Sequence, residues 1–294
     1  MSRQARVLAP AKVNLRLRVL GRRADGYHDV DTLFQAIDLA DDVRVELRGA
    51  GVELDVRGAD LGAATDNLAH RAARRLAESL AYGGGVAVRL EKRIPAGAGL
   101  GGGSSDAAAV LRCLSTLLDV PADEPRVLAV AAELGSDVPF FLAGNALARG
   151  TGKGEILEPL SALSPADLVL ISPPVHVSTA AAYGALSASR RGTLSHGSAE
   201  APRVPRSWDD VAAGASNDFE PVIEAAHPEV ARTLDALRAR RARFALLSGS
   251  GSSVFGLLPS WDEADRVAAE LTAELAWSCR AVRTLSAMPA VETR

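Results

Sequence analysis

The sequence predicts an α+β fold in two domains, on three observations. The chain has 294 residues, about twice the ~150 of a common domain. Its first ~60 residues alternate apolar and polar side chains with the two-residue period of strands. Its second half interleaves strand-like and helical patterns, and no internal repeat is present. Pro159 and Pro165 mark the change, so the domains are set at 1–160 and 161–294.

Strands are expected at 6–8, 13–19, 43–47 and 52–56, separated by turn residues such as Asp25-Gly26 and Gly49 to Gly51. Asp66 and Asn67 open a helix to about Ala81, with apolar residues at 68, 69, 72, 73, 76, 77 and 80. Gly83 to Gly85 stop it, and a strand follows at 86–90. A glycine-rich run then leads into a helix whose apolar residues at 107, 110, 111, 114, 117 and 118 form one buried stripe. Pro125 sits in the first turn of a helix over 124–134, and Gly135 lies just past its end. Beyond a strand at 168–172, residues 187–207 are rich in Ser, Arg, Pro and Gly and are expected as a mobile loop. Helices at 217–226, 228–241 and 262–275 then alternate with strands at 243–247, 253–258 and 280–285.

Composition narrows the function. The net charge of -3 lacks the basic excess that a nucleic-acid partner requires. No run approaches the ~20 apolar residues of a membrane span, and the N-terminus lacks a signal-peptide pattern. Two cysteines, Cys113 and Cys279, make neither a disulfide framework nor a four-cysteine zinc site. The expectation is a cytoplasmic protein acting on small molecules, with no nucleic acid and no membrane. Only three of the 33 basic residues are lysines, Lys12, Lys92 and Lys153. A lysine here marks a place where a compact ammonium suits better than a planar guanidinium.

Four segments could carry chemistry. PAGAGLGGGSSDAA, from Pro95, follows a strand and opens a helix. Glycines let backbone N–H groups turn inward toward an anion, and the helix N-terminus adds partial positive charge. Ser104 and Ser105 suit either a helix cap or a hydroxyl contact to phosphate or metal. A plain tight turn uses the same residues, but five glycines before Ser-Ser favour the cradle. In APAKVNLRL, Lys12 and Asn14 share one face of a strand. In GSDVPFF, Ser136 or Asp137 could simply cap a short helix. In LLSGSGSSVFGL, residues 246–257, a loop of two glycines and four serines is expected to close over a ligand.

Taken in order, these segments resemble the signature motifs of the GHMP kinases. APAKVNLRLRVLGRRADGYHDVDTLFQAIDLAD is similar to the branch of that superfamily acting on a cytidine diphosphate-linked polyol in isoprenoid precursor synthesis. The resemblance runs from Ala9 to about Phe255. It implies an N-terminal domain like the second domain of ribosomal protein S5 and a ferredoxin-like C-terminal domain. It implies ATP and Mg²⁺, a 2-hydroxyl acceptor, and a monomer or homodimer.

The resemblance also assigns roles. Lys12 and Asp137 would be the catalytic pair. ATP phosphates would lie on Pro95, Ala96, Gly97, Ala98, Gly99, Leu100, Gly101, Gly102, Gly103, Ser104 and Ser105, with Lys92, Asn67 and Asp106 nearer the adenosine and Ser105 on the metal. Tyr27 and His28 would recognise cytidine, and Tyr183 would supply a second aromatic to sandwich the base. Asn14 and Thr179 would line the substrate channel, with Gly249 and Ser250 closing on it. Lys153 receives no role, and His70, His176, His196 and His227 are read as structural or exposed. Two other readings compete. A kinase for mevalonate-like or homoserine-like alcohols would have no use for Tyr27, His28 and Tyr183, and an RNA-associated module would need a basic stripe that is absent.

Overall fold

The structure, a computed structural model, describes residues 3–190 and 204–294. The N-terminal half comprises β1 (Gln4–Arg22), β2 (His28–Arg48), β3 (Val52–Arg57), α1 (Leu68–Ser79), β4 (Gly85–Glu91), α2 (Gly102–Leu117), α3 (Pro125–Leu134), α4 (Val138–Leu142), β5 (Leu147–Thr151) and β6 (Ile156–Pro159). The C-terminal half comprises β7 (Asp167–Ser172), α5 (Thr179–Ser189), α6 (Trp208–Gly214), β8 (Ser216–Asn217), α7 (Glu220–Ala226), α8 (Pro228–Ala239), β9 (Ala245–Leu247), β10 (Val254–Leu258), α9 (Trp261–Leu275), β11 (Ser278–Arg283) and β12 (Glu292–Thr293).

Where the alternation predicts short strands, β1 and β2 form one long antiparallel ladder. Two short strands become one because the pairing absorbs irregularities as register shifts, among them one between Asn14 and Arg16. An extra residue at such a bulge turns the following side chains over. Lys12, Asn14 and Leu17 therefore share the face that lines the main cavity, whereas Arg16 and Arg18 lie on the other side. Arg16 pairs there with buried Asp31 at 3.0 Å.

The sheet runs β12-β1-β2-β4-β3, with β5 added to β2, β6 to β5 and β8 to β1. Behind it, α1 and α2 pack through small residues. Ala69, Ala72, Ala73, Ala107, Ala108 and Ala109 are all buried in one core with Leu76, Leu111 and Leu114. Asn67 starts α1 by accepting the Ala69 N–H at 2.9 Å.

The second sheet, β11-β7-β10-β9, is antiparallel throughout. Its strands are threaded in the order β7, helices, β9, β10, α9, β11, the strand–helix–strand–strand–helix–strand plan of a ferredoxin-like domain. The α+β fold is thus as expected. The chain leaves the first sheet between Pro159 and Asp167 and returns to it at β8 and β12.

Several expectations are corrected. The loop expected over 187–207 falls largely on residues 191–203, outside the described residues; its flanks are helical, in α5 and α6. Residue 217 does not open a helix but pairs with Leu17 of β1, and α7 starts at Glu220. Ser104 and Ser105 do not cap α2: Gly101 does, in the left-handed region at φ 69°, and both serines lie inside the helix.

Candidate active site

A cavity of about 1250 Å³ opens between the two sheets. Single-ligand pockets hold roughly 300–1,000 Å³, so this one has room for donor and acceptor together. One end is built on the glycine loop. Of its predicted phosphate-binding residues, Gly97, Gly99, Gly101 and Ser104 reach the cavity wall, while Ala98 and Leu100 point back into the core. Gly97, Gly99 and Gly101 all have positive φ, which alternates the backbone so that successive carbonyls turn away.

Three consecutive carbonyls, those of Ala98, Gly99 and Leu100, are held. The Lys12 N–H donates to Leu100 O at 3.0 Å, and the Ser253 N–H donates to Ala98 O at 3.1 Å. The Gly99 carbonyl accepts twice, from Lys12 Nζ at 2.9 Å and Ser248 Oγ at 3.0 Å. A side chain could not be added there, since a Cβ on Gly99 would lie 2.1 Å from the Ser248 carbonyl oxygen. The 246–257 loop is thus a strut beneath the glycine loop, and its Gly249, Ser250 and Gly251 also reach the wall.

Lys12 sits at the centre, 4% exposed. Its ammonium donates to Asn14 Oδ1 at 2.7 Å and to Gly99 O, and lies 3.7 Å from Asp137 Oδ2. Three acceptors match the three hydrogens of an ammonium. Burial lowers its pKa from the usual lysine value, and the Asp137 carboxylate offsets only part of that. Asn14 is fixed in turn by donating to Thr32 Oγ1 at 2.7 Å, and Thr32 donates to Arg16 O. Asp137 stands at the head of α4 but makes no capping bond. The capping role is therefore excluded, and its carboxylate faces Lys12 from the cavity wall.

The other end is aromatic. His28 and Tyr183 stack with ring centres 4.4 Å apart and 16° between planes, and Phe219 meets Tyr183 edge-on. Tyr27 is 60% exposed, with the Lys153 ammonium 4.7 Å from its ring centre. His28 covers one face of Tyr183, so that face is not open to a base in this geometry. Burial, with Arg22 second, lowers the His28 pKa, so the ring is neutral at pH 7. Burial, with Asp137 second, pushes the Tyr183 phenol up to about 12. Thr179 and Ser250 lie side by side on the wall, their hydroxyls 3.0 Å apart.

Of the other residues assigned to ATP, Pro95, Ala96, Gly102 and Gly103 are not on the wall, and neither are Lys92, Asn67, Asp106 and Ser105. Lys92 and Asp106 are buried behind the loop, where Lys92 Nζ lies 2.7 Å from Asp106 and also contacts Asp41. Direct contact with adenosine is closed to them in this geometry, and Asn67 spends its side-chain oxygen on capping α1. Ser105 is also buried, its hydroxyl without a partner among the described residues, whereas Ser104 reaches the wall. Sequence reading missed several wall residues, among them Arg22, Glu133, Lys153 and His176. Lys153 was visible only as a rare lysine, and His176, which packs against Gly97, carried no spacing signal.

A buried ammonium paired with a carboxylate on the cavity wall, beside an inward-turned glycine loop, is the equipment of a phosphotransferase. The GHMP kinase N-terminal domain family matches residues 67–145, and the GHMP kinase C-terminal family matches residues 199–276. The 4-diphosphocytidyl-2-C-methyl-D-erythritol kinase of Geobacter sp. (strain M21) is 40% identical over 96% of this chain and 100% of its own length. A crystal structure of 4-(cytidine 5'-diphospho)-2C-methyl-D-erythritol kinase superposes with a TM-score of 0.77 at 40% identity, covering 95% of this chain and 98% of that one. A homoserine kinase from Cytophaga hutchinsonii, at 18% identity and a TM-score of 0.70 over 100% of this chain and 97% of its own, shares the fold. The chain belongs to the GHMP kinases, within the family of 4-diphosphocytidyl-2-C-methyl-D-erythritol kinases.

Proposed function

We propose that Lys12 and Asp137 carry an ATP-dependent transfer of the γ-phosphoryl group to the 2-hydroxyl of 4-diphosphocytidyl-2-C-methyl-D-erythritol, giving the 2-phosphate and ADP. The kinase activity follows from membership of the family. The single observation that supports the residue roles is the Lys12–Asp137 pair at 3.7 Å on the wall of a cavity large enough for both substrates.

Phosphoryl transfer has a loose transition state, so the protein's work is positioning and charge neutralisation. The Asp137 carboxylate accepts the hydroxyl proton late in transfer. The Lys12 ammonium holds that carboxylate in place and neutralises charge growing on the transferred group. The N–H groups of Gly97, Gly99 and Gly101 bind the phosphates. Tyr183, His28 and Tyr27 take the cytosine, which enters by displacing His28 from Tyr183. Asn14 and Thr179 flank the polyol, with Gly249 and Ser250 on the opposite wall.

Mg²⁺ fits the oxygen donors of this wall, since such ions are held by one or two carboxylates together with substrate phosphates. Glu133 and Ser104 would offer such oxygens, and the bound ion would neutralise the phosphate charge. Residues 1–160 are read as the nucleotide-binding domain and 161–294 as its partner domain, in a cytoplasmic enzyme. No helix among the described residues is long and apolar enough to cross a membrane.

An ADP-release assay over a panel of alcohols tests the reading. Turnover is expected with the cytidylylated substrate alone. Comparable turnover of the uncytidylylated polyol, mevalonate or homoserine would overturn it.

A further inference from the structure

The loop between β9 and β10 holds the glycine loop, and one side chain from elsewhere in the chain holds that loop in turn. Asn217, 6% exposed, donates from Nδ2 to Leu247 O at 2.7 Å and to Gly249 O at 2.8 Å. Its Oδ1 accepts the Phe219 N–H at 2.9 Å. All of its bonds thus go to backbone, and both donors go to the start of the β9–β10 loop. Asn217 is itself fixed by β8, which pairs in parallel with β1 at Leu17, a few residues beyond Lys12 on the same strand.

What that loop touches makes the connection chemical. Ser248, between the two carbonyls held by Asn217, donates to the Gly99 carbonyl that also accepts from Lys12 Nζ. Gly249 lies against the same pair, for a Cβ there would sit 3.1 Å from Gly99 O and 3.3 Å from Lys12 Nζ. Its φ of +57° is one that glycine adopts without strain.

We infer that Asn217 is a positioning residue: through the Leu247 and Gly249 carbonyls it sets Ser248 and Gly249, and through them the Gly99 carbonyl and the Lys12 ammonium. This rests on the catalytic reading of Lys12. Neither Asn217 nor Ser248 reaches the cavity wall. An asparagine is required because only an amide offers two N–H donors and a carbonyl acceptor from one carbon.

Three variants test it: Asn217→Ala, Asn217→Asp and Ser248→Ala, with the double variant Asn217→Ala/Ser248→Ala. Asn217→Asp keeps the acceptor for Phe219 but loses both donors, so it is expected to fail as Asn217→Ala does. Losses in kcat up to about 10²-fold follow from a misplacement near 1 Å. The KM for ATP is expected to rise, and the KM for the cytidylylated substrate to stay within about twofold, since the aromatic end is untouched. Ser248→Ala, which removes one hydroxyl bond and keeps the fold, should move the same constants less. The double variant should be no worse than Asn217→Ala, because both act on one relay.

Losses that multiply in the double variant would overturn the proposal. So would a Ser248→Ala enzyme with parental constants, or equal rises in both KM values. Lys12→Ala, measured alongside, separates the two readings. If it retains turnover, the catalytic role of Lys12 fails; if it abolishes turnover while the Asn217 and Ser248 variants stay normal, only the relay fails.

Discussion

Asp137 and Tyr183 show how far single residues could be read in advance. Asp137 had an ordinary explanation as a helix cap, and only the structure removes it, by leaving the carboxylate uncapped beside Lys12. Lys12 and Asn14 were legible from alternation alone, because their two-residue spacing survives up to the bulge that turns Arg16 away. Lys92 and Asp106 were not, since a motif position does not say which side of a loop a side chain takes. Tyr183 lies on the wall, and its stack on His28 could not be seen in sequence, because the two are brought together only by the tertiary fold. Tyr183→Ala is expected to raise the KM for the cytidylylated substrate roughly 10- to 100-fold, the ~1–3 kcal/mol of a stacked base. The KM for ATP should not change. Initial-rate kinetics with each substrate varied in turn check this, and a parallel rise in both constants would contradict the stacking role.

At the scale of elements, helices and turns were more legible than strands. The periodicity of α1 and α2 announces a buried face, and those helices, with α9, appear within a few residues of expectation. The ends of β1 and β2 were hidden because a long twisted ladder tolerates bulges that break local alternation. The residues of β8 could not be assigned either, since two residues pair with β1 only because the chain returns to it. The glycine loop makes the sharpest prediction. Gly99→Ala puts a methyl 2.1 Å from a backbone oxygen at φ +78°, an overlap that no side-chain rotation relieves. It should weaken binding of a non-hydrolysable ATP analogue at least about tenfold, as ~1.4 kcal/mol of lost cradle contact would do. Gly144→Ala, at φ +82° with nothing within 4 Å, bears only the left-handed strain, about 1–2 kcal/mol. It should lower the melting temperature and leave nucleotide affinity unchanged. Calorimetric titration of both variants checks the contrast.

At the scale of the whole molecule, two sheets meet at the main cavity, and a buried ion cluster in the N-terminal half braces the start of the glycine loop. Asp41 accepts the Arg93 and Ile94 N–H groups ahead of that loop, Asp106 lies just after it, and Lys92 bridges the two carboxylates. Two carboxylates share one ammonium, so the cluster is neutral only when it keeps a proton. Burial, with the Asp41 charge adding to it, pushes Asp106 up to about 8 from its usual 3.8. Burial alone would lower the Lys92 pKa, but Asp106 and Asp41 outweigh it and the net direction is up. A carboxyl raised in the folded state binds its proton more tightly there than in the unfolded chain. Its contribution to stability is therefore complete below about pH 4 and is lost as the pH rises toward 8. Asp106→Asn removes that titration, so its melting temperature should fall less between pH 5 and 8 than the parent's, by scanning calorimetry over about that range. Identical pH profiles would contradict the raised Asp106.

The central claim is that Asp137 accepts the proton of the acceptor hydroxyl while Lys12 holds it in place. Single-turnover quench-flow with Asp137→Asn tests it most directly, since asparagine keeps the shape and removes the base. A fall of about 10²–10⁴-fold in the rate of the chemical step, with ATP and acceptor affinities retained, is the predicted result; a chemical step at the parental rate would contradict it.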